Sequence, residues 1–488
     1  MTVLLTIRNN LTMYKFHPSI LRAYDIRGII GETLSEEDAY FIGKAFAKFL
    51  SAEQKNKVVV GYDGRLSSPD LKDSLIRGLI DSGMNVSEIG LCPTPMLYFG
   101  VYHLQADAGI MITGSHNPAN HNGFKFLLKD RPFYGADIAN LGAIAEVGNF
   151  VDEAGNVDHV HIMENYVDHL ANDCDIESDS ELLDELDHFL EDTKQRLKIS
   201  WDIGNGATGE VVRKLTDKLK AKHFLLFEEI DGNFPNHHPD PTVEANLLDL
   251  KKSVLENECD IGVAFDGDGD RIGVVDNQGE VLWGDQLMCL FAKDVLEEYP
   301  GATIIADVKA SQVLFDEIKK FGGVPLMWKT GHSLIKAKMK ETKSPLAGEM
   351  SGHIFFADRY FGFDDGIYAA VRIINIILKE GKSLSEIRKS LPKTFSTPEI
   401  RIECSEEKKF VIVEEIKKQL RAKNISFNDV DGIRMQNENG WWLLRASNTG
   451  AVLVARCEAL TEINLDKLKK DLSEQLIFNQ ISLPKELC

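Results

Sequence analysis

Three aspartates alternate with glycines in the stretch DGDGDR, which contains Asp266, Asp268, Asp270 and Arg271. Apolar runs on both sides predict a loop between two strands. Glycines let the backbone fold tightly, so the three carboxylates can converge on one hard cation, with Mg²⁺ favoured and Arg271 beside it. An EF-hand is excluded, because Arg271 and Asn277 occupy the positions where that loop requires glycine and glutamate. A polar hairpin turn without a metal is the alternative.

A single serine, Ser115, interrupts the tight polar turn IMITGSHNP (110–118) and is followed by His116. The turn lacks the G-x-S-x-G pattern of the α/β hydrolases, so ester hydrolysis is not favoured. A serine hydroxyl needs activation before it can act as a nucleophile. A nearby Mg²⁺ ion and the ammonium of Lys125 would make Ser115 a phosphoryl acceptor. The alternative is an ordinary Asx-type turn.

The stretch RASNTG places a guanidinium, two hydroxyls and an amide on one short turn, contributed by Arg445, Ser447, Asn448 and Thr449. Such donors, together with free backbone N–H groups, are typical of a phosphate-binding turn. A simple turn before a strand is the alternative.

In GEMSGH, polar residues recur at every second position: Glu349, Ser351 and His353. On an extended loop these side chains would face one side and could hold adjacent sugar hydroxyls. A strand edge with incidental polar residues is equally compatible with the pattern.

One stretch favours a different class of enzyme. GNGATG (204–209) matches the dinucleotide-binding pattern, and Glu228 and Glu229 follow at about the expected distance. A nicotinamide-dependent dehydrogenase is therefore the rival hypothesis. It leaves the aspartates, Ser115 and the RASNTG turn without roles, so these glycines are interpreted as close strand-to-helix packing.

Short apolar strands alternate with amphipathic helices along most of the chain. Examples are KVVVGYD (57–63) and the strand–turn–helix patterns of 197–215 and 302–322, and Ser35 with Asp38 predicts a helix N-cap. Repeated βα units imply parallel sheets with helices on their faces. The last ~95 residues differ, with strands around a helix near 405–423. The predicted units are an N-terminal extension (1–15), α/β domains at 16–160, 161–280 and 281–392, and a final domain at 393–488.

Composition excludes several classes of protein. The 488 residues carry a net charge of −21, which argues against nucleic acid as a partner. No apolar run reaches the ~18 residues of a membrane span. Residues 151–200 hold 15 Asp and Glu against 3 Lys and Arg, and their acidic part, 172–192, is interpreted as solvated surface. Seven scattered cysteines without a CxxC pair predict a reduced cytoplasmic protein without structural zinc.

Together and in this order, the motifs resemble the α-D-phosphohexomutases, and most closely the bacterial phosphomannomutase/phosphoglucomutase enzymes. FHPSILRAYDIRG (16–28), DGNFPNHHPDP (231–241) and MWKTGHSLIK (327–336) also match. Met350 stands where the phosphoglucosamine mutases typically carry glutamine, so that activity is the weaker alternative. The resemblance implies an α/β fold: three related α/β domains with mixed sheets plus a smaller C-terminal α+β domain, around a central active-site cleft.

The resemblance also implies a role for each matching residue. Ser115 would be a phosphoserine that completes the Mg²⁺ shell of Asp266, Asp268 and Asp270. The reacting phosphoryl group would be surrounded by Tyr24, Arg27, His116, Lys125 and Arg271. The sugar would be contacted by Lys309, His332, Glu349, Ser351 and His353, and the phosphate that does not react by Arg445, Ser447, Asn448 and Thr449. One departure is that Thr449 is followed by Gly450 and Ala451, whereas the family often has proline two positions later.

The implied reaction is reversible interconversion of mannose 6-phosphate and mannose 1-phosphate, with glucose phosphates as second substrates. A hexose 1,6-bisphosphate would be both intermediate and activator. His353, His332 and Lys125 remain open as the general base. A phosphoserine-dependent metal phosphatase, in which water attacks the phosphoserine, is another alternative. The expected partner is a phosphosugar, and the expected state is a monomer or weak homodimer.

Overall fold

The structure is a computed structural model that describes residues 13–176, 197–448 and 450–487. Most of the predicted N-terminal extension (1–15), most of the acidic segment (172–192) and Thr449 lie outside the described residues. Within these ranges, the strands form four separate sheets. None of the helices found there is both long and apolar enough to span a bilayer.

The first sheet carries the predicted serine turn. Its strands are β1 (Ile26–Ile29), β2 (Lys57–Tyr62), β3 (Asn85–Leu91), β4 (Ala108–Ile112), β5 (His121–Leu128) and β6 (Asn156–His159), in the order β1-β5-β4-β2-β3-β6. Its helices are Glu36–Ala52, Ser68–Ile80, Thr94–His103 and Ala136–Val147, and the next helix, Met163–Asn172, packs against the helix Gly209–Lys218 beside the second sheet. The central pairs are parallel, whereas β5 runs antiparallel to both β1 and β4. The predicted cap is confirmed, because Ser35 and Asp38 form a capping box.

The second sheet carries the aspartate loop. Its strands are β7 (Lys198–Asp202), β8 (Lys222–Leu226), β9 (Ile261–Phe265), β10 (Ile272–Asp276) and β11 (Val281–Leu282), in the order β11-β10-β9-β7-β8. Its helices are Gly209–Lys218, the 3₁₀ turn Glu244–Leu247 and Leu248–Asn257. The glycines of GNGATG join β7 to the first of these helices. A Cβ at Gly209 would lie 2.2 Å from the carbonyl oxygen of Glu228, so close packing accounts for this glycine.

The third sheet corrects one prediction. Its strands are β12 (Thr303–Asp307), β13 (Val324–Trp328), β14 (Leu346–Gly348) and β15 (Ile354–Phe356), in the order β13-β12-β14-β15. Its helices are Gly284–Glu298, Gln312–Lys320, His332–Thr342, Gly366–Glu380 and Leu384–Lys389. The extended loop predicted for Glu349, Ser351 and His353 is wrong. Instead, these residues form the turn of the hairpin between β14 and β15. Backbone hydrogen bonds from Glu349 N to His353 O (2.9 Å) and from Gly352 N to Glu349 O (3.0 Å) close this turn.

The fourth sheet is antiparallel. Its strands are β16 (Phe395–Ser396), β17 (Ile400–Glu403), β18 (Phe427–Asn428), β19 (Ile433–Asn437), β20 (Gly440–Ala446) and β21 (Val452–Ala459). Its helices are Glu406–Ala422, Glu462–Phe478 and the 3₁₀ turn Lys485–Leu487. One apolar core runs through the three α/β units and includes Tyr98, Trp201 and Phe291. The fourth unit has its own core around Trp442 and Leu472. The predicted fold class, three α/β domains followed by an α+β domain, is confirmed.

Candidate active site

Ser115 lies at the edge of the first sheet, in the loop between β4 and β5. It is 1% exposed, and its φ of +49° is in the left-handed region that few non-glycine residues adopt. Its hydroxyl donates to Asp266 Oδ2 over 2.8 Å and lies 3.1 Å from Nδ1 of His116. The first and second sheets therefore bring the predicted nucleophile and the first predicted metal ligand into direct contact.

A buried arginine, Arg65, binds the backbone of the loop between β4 and β5, which contains Ser115 and is called the serine loop below. Its guanidinium donates to four backbone carbonyls, those of Ser115, Asn117, Pro118 and His121, over 2.8, 2.6, 2.6 and 2.9 Å. Its Nε donates to Asp63 Oδ2 over 3.2 Å. Gly114 is required here, because a Cβ at that position would lie 2.4 Å from Cζ of Arg65.

The three aspartates of the β9–β10 loop are fully buried, and each offers an oxygen within 4.8 Å of the others. Lys125 Nζ donates to Asp268 Oδ2 over 2.6 Å and also contacts Asp270. Burial and the neighbouring carboxylates raise the pKa of Asp266 well above its usual range. Burial also acts to raise the pKa of Asp268, but the charge of Lys125 together with hydrogen bonds to Lys125, Thr94 and Asp266 holds that pKa below its usual value.

Two of these carboxylates keep an oxygen without a hydrogen-bond partner, Oδ1 of Asp268 and Oδ1 of Asp270. Buried acceptors of this kind are costly unless they are satisfied. Three carboxylates and one hydroxyl, that of Ser115, form an all-oxygen donor set. Such a set fits a hard divalent cation.

Arg271 extends the site toward the third sheet. Its Nε donates to His353 Nε2 over 2.9 Å, so a neutral imidazole carries its proton on Nδ1. That Nδ1 lies 3.1 Å from Asp364 Oδ2 and 3.5 Å from Asp270 Oδ1. Asp364 is also paired with Lys336 over 2.9 Å. Residues of the second and third sheets thus form one continuous polar network.

A second group of residues lies where the first, third and fourth sheets meet. The hydroxyl of Tyr24 donates to the Thr330 carbonyl (3.0 Å) and accepts from Asn448 Nδ2 (2.6 Å). The Glu349 carboxylate accepts from the backbone N–H of Gly331. Burial raises the pKa of Tyr24 above its usual range, so its hydroxyl stays protonated and able to donate.

The RASNTG turn is held against the third sheet by Asp431. Oδ2 of this residue accepts from Arg445 Nε and from the backbone N–H of Thr330, both over 3.0 Å. The turn itself is closed by bonds from Ser447 N to Val452 O (3.0 Å) and from Gly450 N to Ser447 Oγ (3.2 Å). Arg445 and Asn448 of the fourth unit therefore lie at the same junction as Tyr24.

Comparison with known proteins agrees with this geometry. Family models described as phosphoglucomutase/phosphomannomutase, alpha/beta/alpha domains I, II and III, match residues 18–146, 164–279 and 283–395. The model of the C-terminal domain of the same family matches residues 399–475. The chain belongs to the phosphoglucomutase/phosphomannomutase family.

Relatives within this family are similar over nearly their whole length. A phosphomannomutase/phosphoglucomutase of Pseudomonas putida is 45% identical over 459 residues, covering 94% of this chain and 96% of the relative. A phosphoglucomutase of Neisseria gonorrhoeae is 42% identical over 454 residues, covering 92% and 95%. A crystal structure of a phosphoglucomutase/phosphomannomutase family protein from Burkholderia thailandensis has a TM-score of 0.87 at 37% identity, covering 96% of this chain and 100% of the other.

The predicted site residues of this family member fall into two groups. Around the serine and the aspartates lie Ser115, His116, Lys125, Asp266, Asp268, Asp270, Arg271 and His353. Arg27 joins them, because its Nη1 donates to Asn117 of the serine loop over 3.1 Å. At the junction with the fourth unit lie Tyr24, Glu349, Ser351, Arg445, Ser447 and Asn448. His332 lies between the two groups, with its ring centroid 5.7 Å from that of His353 and 6.1 Å from that of Tyr24.

Lys309 belongs to neither of these groups, because its ion pairs are with other residues. Its ammonium lies 3.3 Å from Glu399 Oε2 and 3.8 Å from Asp307 Oδ2. The burial of Asp307, with Glu349 nearby, raises the pKa of its carboxyl to about 6, although Lys309 opposes the shift. Lys309 is therefore held at the boundary between the third and fourth units.

The motifs do not predict Arg65, Thr94, Asp364 and Asp431, each of which contacts a predicted site residue. Thr94 is the first residue of the helix Thr94–His103. Its backbone N–H donates to the carbonyl oxygen of Asp268 over 2.8 Å, and its hydroxyl donates to the Asp268 carboxylate. A polar DGR sequence directly after β2 is the signal that could have indicated Arg65, since functional loops follow the carboxyl ends of parallel strands. Asp431 lies in an ordinary turn without such a signal.

Proposed function

We propose that this protein is a phosphohexomutase that interconverts mannose 6-phosphate with mannose 1-phosphate and glucose 6-phosphate with glucose 1-phosphate. Such an enzyme is an isomerase that works through a phosphoserine at Ser115. The observation that carries the proposal is the 2.8 Å contact between the Ser115 hydroxyl and Asp266 inside the buried aspartate cluster. The names of the relatives agree with it.

In the first half-reaction, the bond between phosphorus and Ser115 Oγ breaks as the free sugar hydroxyl bonds to the phosphorus and loses its proton. The product is a hexose 1,6-bisphosphate, which turns around in the site. Its other phosphoryl group then returns to Ser115 and leaves the isomeric monophosphate. The proton acceptor is His353 or His332. Lys125 is not a candidate, because its ammonium already carries its protons and donates to Asp268 and Asp270.

Catalysis of phosphoryl transfer depends on positioning and charge neutralisation. Lys125, Arg27 and Arg271 supply positive charge around Ser115. The carboxylates of Asp266, Asp268 and Asp270 would hold Mg²⁺, which would neutralise negative charge on the phosphoryl oxygens. These fixed charges are already oriented before the reaction begins, which is the most effective form of electrostatic stabilisation.

The second group of residues would bind the rest of the substrate. Glu349 and Ser351, linked by a 3.1 Å hydrogen bond, would hold the sugar hydroxyls. Arg445, Ser447, Asn448 and Thr449 would bind the phosphate that is not reacting, and Lys309 would contact the sugar phosphate. We further propose a monomer or weak homodimer in the cytoplasm. The reduced cytoplasm suits the free thiols of Cys92, Cys174, Cys259, Cys289, Cys404 and Cys457.

A coupled assay with Mg²⁺ and a trace of glucose 1,6-bisphosphate tests the proposal. Mannose 1-phosphate and glucose 1-phosphate are supplied separately to the wild type, to Ser115→Ala and to Ser473→Ala. The second variant is a control that removes a buried hydroxyl whose hydrogen bonds, to the carbonyls of Lys469 and Leu487, stay within the fourth unit. We expect both sugars to be converted by the wild type and the control, and activity to be lost in Ser115→Ala. Release of free phosphate without isomerisation would instead indicate a phosphatase.

A further inference from the structure

Arg65 uses every hydrogen-bond donor it has. A guanidinium carries five N–H groups, and here four bond to backbone carbonyls of the serine loop and the fifth to Asp63. Its side chain is fully buried. A group so enclosed cannot also bind a phosphosugar, so its role differs from that of Arg27 or Arg271.

We propose that Arg65 is a positioning residue for phosphoryl transfer, an inference that rests on the proposed mutase activity. Its planar guanidinium binds four backbone carbonyls of the serine loop. These hydrogen bonds hold Ser115 at its positive φ and keep the Ser115 hydroxyl in contact with Asp266. Left-handed backbone is unfavourable for serine and persists only where surrounding contacts impose it. Without Arg65, the loop relaxes to ordinary backbone conformations and Oγ leaves its position.

A loop of the second α/β unit covers the outer side of Arg65. The ring centroid of Phe234 lies 5.3 Å from Cζ of Arg65. A Cβ at Gly232 would lie 2.7 Å from the Arg65 Cα, and one at Gly267 would lie 2.5 Å from the Ser115 carbonyl oxygen. The DGNFPNHHPDP motif (231–241) thus packs against Arg65, which in turn binds the loop of Ser115.

This packing couples the nucleophile to its metal ligands. Gly267 belongs to the aspartate loop and approaches the carbonyl oxygen of Ser115, which also accepts a hydrogen bond from Arg65. Arg65 and the aspartate loop therefore both constrain the backbone of Ser115, and with it the distance between Ser115 and Asp266. A displacement of about 1 Å at such a site can cost ~100-fold in rate.

The test compares Arg65→Met, Arg65→Lys and Phe234→Leu with the wild type. Arg372→Met is a matched control, because Arg372 is also buried and is paired with Asp358 and Asp294 over 2.8 and 3.0 Å. For each protein, kcat and KM for glucose 1-phosphate are measured with Mg²⁺ and glucose 1,6-bisphosphate. The melting temperature and the fraction of Ser115 phosphorylated by the bisphosphate, read by intact mass, are measured as well.

We expect Arg65→Met to lower kcat by about 100-fold while KM stays within about threefold, because Arg65 orients the nucleophile and does not touch the substrate. Arg65→Lys should recover only part of this loss, since an ammonium has three donors and no planar fork. Phe234→Leu should lower kcat to a smaller extent. Arg372→Met should lower the melting temperature and leave kcat unchanged.

Two results would overturn the proposal: an unchanged kcat in Arg65→Met, or a loss of kcat in Arg372→Met that matches the loss in Arg65→Met. If Arg65→Met does not fold, Arg65→Lys and Phe234→Leu decide the question by the same kcat and KM criterion. An inactive wild type would contradict the proposed function, whereas an active wild type with an unaffected Arg65→Met contradicts only the positioning role.

Discussion

At the scale of single residues, the site is built from groups that are far apart in sequence and buried together. Ser115 and Asp266 are separated by 151 positions, yet their side chains share a hydrogen bond. Lys125 contacts Asp268 and Asp270 across a similar separation. Burial makes each charge expensive, so the aspartates depend on the cations around them and on the metal that they are expected to bind.

Asp268→Asn should weaken metal binding more than it weakens the fold. It removes one of three carboxylates, so we expect the Mg²⁺ concentration for half-maximal activity to rise at least about 10- to 100-fold. Asp276→Asn is the control, because Asp276 is equally buried at the end of β10 and is paired with Arg388 over 2.7 Å. The measurement is activity against Mg²⁺ concentration after treatment with EDTA. Equal metal dependence in both variants would contradict the assignment of Asp268.

At the scale of elements, glycines let helices and loops approach each other closely. The helices Glu36–Ala52 and Ser68–Ile80 meet at Gly43 and Gly78. A Cβ at Gly78 would lie 2.1 Å from the carbonyl oxygen of Tyr40, and a Cβ at Gly43 would lie 2.5 Å from that of Leu75. The two backbones are therefore in direct contact beside the sheet that carries the serine loop.

Gly78→Ala should destabilise the protein although alanine favours helix. The added methyl must push the two helices apart, which costs about 1–3 kcal/mol, more than the gain of up to ~1 kcal/mol from helix propensity. Gly142→Ala is the matched control within the helix Ala136–Val147, because its methyl would approach only a methyl group of Leu21. Thermal unfolding should show a lower melting temperature for Gly78→Ala alone. Similar melting temperatures for the two variants would contradict this account.

The pairing of β14 with β15 explains why the predicted extended loop at GEMSGH was wrong. Alternating polar residues in GEMSGH are compatible with an extended strand edge and with a hairpin turn. Two backbone hydrogen bonds select the hairpin, and they separate His353, which faces Arg271, from Glu349, which faces Gly331. Local spacing cannot distinguish these cases, because the hairpin depends on the pairing of β14 with β15.

At the scale of the whole molecule, the fourth unit is attached to the third through buried guanidinium groups. Arg434 donates to the carbonyls of Val308 and Ala310 over 2.6 and 2.7 Å, and Arg456 donates to that of Lys309 over 2.6 Å. Tyr24 of the first unit also contacts both of these units, through its hydrogen bonds with Thr330 and Asn448. The groups proposed to bind the substrate are therefore contributed by separate units that must stay aligned.

Tyr24→Phe should loosen this junction. The hydroxyl makes two hydrogen bonds, each with a net value of about 0.5–1.5 kcal/mol, so we expect KM for glucose 1-phosphate to rise several-fold. Tyr299→Phe is the control, since it removes one bond to the backbone of Asp358 on an exposed side chain. Steady-state kinetics of both variants provide the measurement. An unchanged KM in Tyr24→Phe would argue against a role of this hydroxyl in aligning the units.

The sequence by itself determined the fold class, three α/β units followed by an α+β unit, and it indicated the chemistry to expect at the site. The DGDGDR loop, the serine turn and the RASNTG turn were recognisable because their residue types and spacing are local properties. Only the tertiary structure decided how these pieces meet: Arg65 on the serine loop, Asp364 beside His353 and Asp431 beneath Arg445. Backbone carbonyls and buried partners far along the chain leave no pattern in a sequence, because any residue has a carbonyl and only the packed fold brings it to a particular donor.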